Sequence, residues 1–105
     1  MSAVNFGGFD WNDGNLKKIE SHRISLAEIE WFFLQGRIHV APDPKHSGSE
    51  TRFLAIGPSP LGRPMIVAFT MRKRRGERLI RPISARYMNE REAMKYVEAF
   101  TEDEK

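Results

Sequence analysis

MIVAFTMRKRRGERLIRPISARYM, residues 65–88, is the stretch that decides the fold. MIVAFT (65–70) is nearly all apolar, as in a strand covered on both faces. LIRPISARYM (79–88) also reads as a strand, although it carries Arg81, Pro82, Arg86 and Tyr87. The charged MRKRRGE between them predicts a turn. A connection this short leaves no room for a crossover, so the two strands run antiparallel.

Outward from this hairpin the pattern extends in both directions. TRFLAIG (51–57) predicts another strand, tied to MIVAFT by PSPLGRP, and RIHV (37–40) a short one. APDPKHSGSE, with two prolines, a glycine and two serines, is a loop. Upstream, Asn12 or Asp13 can cap a short helix near Gly14 with Leu16 and Ile19 inward. SHRI interrupts it. Ser25 and Glu28 then form a capping box, Leu26, Ile29 and Phe33 follow at helical spacing, and Gly36 is a suitable stop. Trp31, Phe32 and Phe33 read as core. Asn89 with Glu92 predicts a last capped helix whose buried stripe is Ala93, Val97 and Phe100. The sum is a single α+β domain over residues 1–105. It has a small, mainly antiparallel sheet of three or four strands, two N-terminal helices and one C-terminal helix, with 1–10 and 101–105 loosely ordered.

A chain of 105 residues supports one modest core, and 40% hydrophobic with 30% charged residues suits a globular chain rather than a disordered one. With no cysteine, disulfides and thiolate metal sites are excluded. No apolar run approaches the ~20 residues of a membrane span and MSAVNFGGFDW lacks the parts of a signal peptide, which leaves the cytoplasm as the expected compartment. The patterns of P-loops, zinc proteases and serine hydrolases are missing. Three dispersed histidines make a poor metal site, so neither metal nor cofactor is expected.

The charge is uneven. Residues 37–91 hold twelve Lys/Arg against Asp43, Glu50, Glu77 and Glu90, while both ends of the chain are acidic. Such a basic middle suits a polyanion-binding face, although RKRRGER (72–78) could equally be a solvated turn.

Two concentrations of side chains could do chemistry. In the strand 79–88, strict alternation puts Arg81 and Arg86 on opposite faces, but a bulge at Pro82 shifts the register and brings them to one side. The alternative for Arg86 is a structural clamp on a nearby carboxylate. In DPKHSGSETR (43–52), Lys45, His46, Glu50 and Arg52 surround a loop. These types serve RNA cleavage without a metal: a base takes the 2′-hydroxyl proton, arginines stabilise the phosphorane, and an acid protonates the leaving oxygen. Tyr87 could stack on a base. His22 follows a helix end, where a C-terminal cap is as reasonable as a functional role, and His39 reads as structural.

FDWNDGN (9–15), SHRIS (21–25), DPKHSGSETRFLAIG (43–57), LGRPMIVAFT (61–70) and LIRPISARYM followed by NEREAMKYVE together resemble the BrnT family, ribonuclease toxins of bacterial type II toxin–antitoxin pairs. ISAR after an apolar strand is the most specific piece. Members often show a Lys-His-Gly turn at the first helix end, where this chain has Ser21-His22-Arg23. The resemblance implies a RelE-like fold, metal-independent endoribonuclease activity that inhibits translation, and an antitoxin with a ribbon-helix-helix domain that binds operator DNA. In that picture Arg81, Arg86 and Arg52 hold the scissile phosphate, and His22, His46 and Glu50 compete for the proton-transfer roles. Lys45, Arg63, Arg72 and Tyr87 bind substrate. Two other classes stay open: a nucleic-acid-binding module without catalysis, and an interaction protein whose positive face meets only an acidic partner.

Overall fold

The computed structural model of the chain describes residues 6–101. Along the chain come β1 (Gly8–Phe9), α1 (Asp13–Glu20), α2 (Leu26–Leu34), β2 (His39–Pro42), β3 (Arg52–Pro58), β4 (Pro64–Arg74), β5 (Glu77–Tyr87) and α3 (Glu90–Thr101). The strands form one sheet in the order β1-β5-β4-β3-β2, antiparallel except where β1 runs parallel to β5. The α+β class and the three helices agree with the sequence reading. The sheet has five strands rather than three or four, because a two-residue strand such as β1 has no periodicity to detect. Residues 1–5 and 102–105, part of the ends expected to be loose, lie outside the described residues.

The caps work as the sequence predicts. Asn12 accepts from the backbone of Gly14 and Asn15, and the Asn15 side chain accepts from the Asn12 N–H in return. Ser25 with Glu28 and Asn89 with Glu92 repeat the reciprocal pattern. Helix α3 departs from expectation: its expected stripe is not buried, Val97 being 47% exposed and Ala93 and Phe100 only half-buried. Trp31 is likewise 40% exposed, whereas Phe32 and Phe33 are buried.

The hairpin is longer and tighter than the run of charge suggests. Arg72, Lys73 and Arg74 belong to β4, and the turn is Arg75–Gly76 alone, with φ of 52° and 81°. Two positive φ angles in a two-residue loop match the twist of paired strands. Backbone ladders accept any side chain that solvent can reach, so charge did not end the strand.

One face of the sheet carries the core. Met65, Val67 and Phe69 of β4, with Ile80 and Ala85 of β5, pack against Ile19, Ile24, Ile29, Phe32 and Phe33 of the helical segment. Phe33 stands edge-on to both Phe32 and Phe69, with centroids 5.2 and 5.1 Å away, which ties α2 to β4. Full burial of side chains of this size contributes about 1.5–3 kcal/mol each. Gly57 lets the chain entering β2 come close, since a Cβ there would sit 3.0 Å from Ile38 Cγ2 and 3.1 Å from the Arg37 carbonyl.

The expected bulge exists. Ala68 faces Ser84 and Phe69 faces Pro82, leaving Ile83 without a partner. Arg81 therefore opposes Thr70 while Arg86 opposes Ile66, two residues on the same side of β4, and both arginines share the sheet face turned away from the core. The outer edge of β5 is covered in sequence: Gly7 N–H donates to the Arg78 carbonyl, Asp10 N–H to that of Ile80, and Asn15 Nδ2 to that of Pro82 at 2.9 Å. The last contact fastens α1 beside the bulge.

Candidate active site

On the face away from the core, β3, β4 and β5 floor a groove of about 420 Å³. Leu54, Ile66, Ala68 and Ser84 form the floor, and His22, Asp43, His46, Arg52, Arg86 and Glu92 supply the polar groups. These side chains come from the end of α1, the loop before β3, two strands and the start of α3.

The loop 43–51 is pinned at both ends of its turn. Asp43 N–H donates to the Arg52 carbonyl at 2.7 Å, continuing the β2–β3 ladder by one step. The Ser47 hydroxyl donates to the Asp43 carbonyl and accepts from the Arg52 N–H, both at 2.9 Å. His46 is thereby brought over Asp43, and its Nδ1 lies 2.8 Å from Asp43 Oδ2. A carboxylate only accepts, so this contact selects the tautomer with the proton on Nδ1 and leaves Nε2 free. The Asp43 side chain is 12% exposed and that of His46 63%, so the dyad has a sheltered anchor and an accessible outer end.

Arg52 opposes Thr70 at the edge of the groove, and Arg52 Nε and Thr70 Oγ1 are buried without a hydrogen-bond partner among the described residues. Arg86 is forked on Glu92, with Nη1 and Nη2 each 2.8 Å from a carboxylate oxygen. This contact and the Asn89 N–H hold the Glu92 carboxyl at about 2, well below the ordinary value of 4.5, and the Arg86 pKa is raised in turn. Arg86 is thus clamped on a nearby carboxylate, the alternative that the sequence left open for it, and it lines the groove together with that partner.

The other sequence candidates are distributed elsewhere. Arg81 shares the sheet face of Arg86, but its Nη1 lies 3.5 Å from Asp10 Oδ2 and its Nη2 3.4 Å from Asn12 Oδ1, outside the groove. Glu50 is joined to Arg72, whose Nη2 donates to Glu50 Oε1 at 3.1 Å. Lys45 sits exposed in the turn beside His46. Tyr87 points to the core face, where its hydroxyl donates to Glu28 at 2.6 Å and the Arg63 guanidinium lies 4.2 Å over its ring. That hydrogen bond raises the Tyr87 pKa and lowers that of Glu28. His39 stacks on Phe100 at 3.7 Å.

Thus His22, His46, Arg52 and Arg86 are brought together, and Arg81, Glu50, Lys45, Arg63, Arg72 and Tyr87 are not. Asp43, Ser47 and Glu92 were not among the sequence candidates. The Asp43-x-x-His46 spacing was visible, yet only a turn closes it.

A cleft holding two imidazoles and two guanidiniums carries the groups that phosphodiester chemistry requires. A family model described as ribonuclease toxin, BrnT, of type II toxin-antitoxin system matches residues 11–92. The chain belongs to that family. The match runs from the start of the α1 cap to Glu92, so it includes every polar group of the groove. Members of the BrnT family are ribonuclease toxins, which implies RNA as substrate and an antitoxin as partner. No curated protein matches the chain. No helix among the described residues is long and apolar enough to cross a membrane.

Proposed function

We propose that the chain is a metal-independent endoribonuclease whose active site is the groove on the outer face of the sheet. The observation that carries this reading is the convergence of His22, His46, Arg52 and Arg86 on one cleft from positions scattered over 65 residues of chain. Nε2 of His46, held in place by Asp43, takes the proton from a ribose 2′-hydroxyl. The 2′-oxygen attacks phosphorus, and Arg52 and Arg86 stabilise the charge that builds on the phosphorane oxygens. Arg86 exchanges Glu92 for the phosphate as the substrate enters. The P–O5′ bond breaks, His22 in its protonated form gives its proton to the leaving oxygen, and the products are a 2′,3′-cyclic phosphate and a free 5′-hydroxyl. Arg81, clasped by Asp10 and Asn12, joins the start of α1 to β5 and acts structurally.

Growth inhibition follows from degradation of cellular RNA, and a cognate ribbon-helix-helix antitoxin, bound to operator DNA through its own domain, relieves it. The deciding experiment is cleavage of mixed RNA by purified protein in excess EDTA, beside folded His46→Ala and Arg52→Ala, Arg86→Ala variants. Wild-type cleavage with cyclic-phosphate ends, reduced at least ~10²-fold in each variant, is the expected result. Equal cleavage in all three proteins overturns the site. Salt-sensitive RNA binding without cleavage makes the chain a binding module instead.

A further inference from the structure

Strands β4 and β5 continue together beyond the rest of the sheet. Arg52, the first residue of β3, pairs with Thr70, so Met71–Arg74 and Glu77–Ile80 form a two-stranded arm. The short segment Gly7–Asp10 flanks one edge of it, Gly8 and Phe9 pairing with Leu79 and Ile80 and the Gly7 N–H donating to the Arg78 carbonyl. The arm holds Arg72, Lys73, Arg74, Arg75 and Arg78 against Glu77. Arg72 is joined to Glu50, and Arg74 Nη2 lies 3.5 Å from Asp10 Oδ2. Lys73, Arg75 and Arg78 are exposed, and no ion pair to them is found among the described residues.

Two features of the arm work against its own stability, and both add positive charge. Lys73 and Arg78 are direct cross-strand partners, a position where like charges repel. Arg75 occupies a left-handed position, φ 52°, where asparagine or glycine fits at less strain. A hairpin selected for stability alone would carry neither. Local rules broken in one direction mark a functional surface.

We infer that this arm is an RNA-binding site separate from the cleavage groove, gripping the phosphate backbone of a long substrate. The inference rests on RNA being the ligand of the groove. A phosphate chain presents an anion at every residue and can be met from several sides, which suits cations on both faces and at the tip of a narrow ribbon. A protein partner needs apolar surface at the centre of its contact, and none of the large exposed hydrophobic residues lies between 71 and 80. Six steps of strand lead from Arg78 to Ser84 on the groove floor, about 20 Å at strand rise. A dinucleotide in the groove therefore leaves the arm untouched.

The test compares wild type with the K73T, R75N, R78T triple variant, substitutions that remove three charges while favouring strand and turn. The probe is a 2′-O-methyl RNA of about 20 nucleotides, uncleavable and longer than common single-strand site sizes. Its affinity is read by fluorescence anisotropy across a salt series, beside a poly-glutamate peptide. Affinity should fall at least ~10-fold near 0.1 M salt, and the slope of log K against log salt should shrink by about 2, as three lost phosphate contacts require. The melting temperature should hold or rise, and dinucleotide cleavage should be unchanged. Unchanged RNA affinity and slope overturn the inference, as does loss of poly-glutamate binding with RNA binding intact. If the slope shrinks but neither protein cleaves any RNA, the ribonuclease reading falls and the arm stands.

Discussion

Asp43 changes what His46 can do. An imidazole alone on an exposed loop rotates and exchanges tautomers, whereas a carboxylate 2.8 Å from Nδ1 fixes both and stabilises the charged ring after proton transfer. Asp43→Asn keeps a hydrogen bond but loses the charge. Its cleavage rate should fall by roughly 10²-fold with KM little changed, as steady-state and single-turnover kinetics can read. Glu92 supplies a second prediction. Its pKa is about 2 in the folded chain against an ordinary 4.5, so its contribution to stability is fully present above 4.5 and is lost as pH falls through about 2. Denaturant midpoints of the wild type should therefore decline over that window, and Glu92→Gln should flatten the decline. At this scale the sequence showed the residue types but not their pairing. His46 and Arg52 were visible as chemistry, whereas the Asp43 contact exists only once Ser47 has closed the loop onto β3.

Elements are where backbone accounting decides. Asn15 is buried, completes the α1 cap and donates to the carbonyls of Asp10 and Pro82. Asn15→Ala removes a cap contact and leaves two acceptors unpaired, so roughly 2–4 kcal/mol of stability should disappear in urea unfolding. Because α1 carries His22 to the groove from beside the β5 bulge, cleavage should fall in the same variant, even in the fraction that remains folded. The boxes at Ser25 and Asn89 were legible because each is a local pattern four residues long. Strand length was not: the run 72–74 reads as a turn by charge, but its pairing with 77–79 lies in the backbone and is indifferent to exposed side chains. Likewise α3 has the spacing of a buried stripe, and periodicity cannot say whether a surface will be there to cover it.

Across the whole molecule the formal charge of +3 understates the field, because the cations collect on the sheet and its arm while the acidic residues lie toward the ends of the chain. Two groove contacts and three arm contacts to phosphate give a salt slope near −3.5, so affinity for a long RNA should drop roughly a hundredfold between about 0.05 and 0.2 M salt. Affinity for a dinucleotide should drop far less. The sequence by itself determined the fold class, the three helices and their caps, the antiparallel hairpin, and the bulge at its proline. Each is encoded by local spacing, turn chemistry or a missing N–H. Only the tertiary structure decided that His22, His46, Arg52 and Arg86 share a groove while Arg81 and Tyr87 do not. That outcome depends on the docking of α1 against an edge, where Asp10 and Asn12 hold Arg81, and on a loop folded back on β3. Those contacts join residues far apart in the chain, and no local pattern records them.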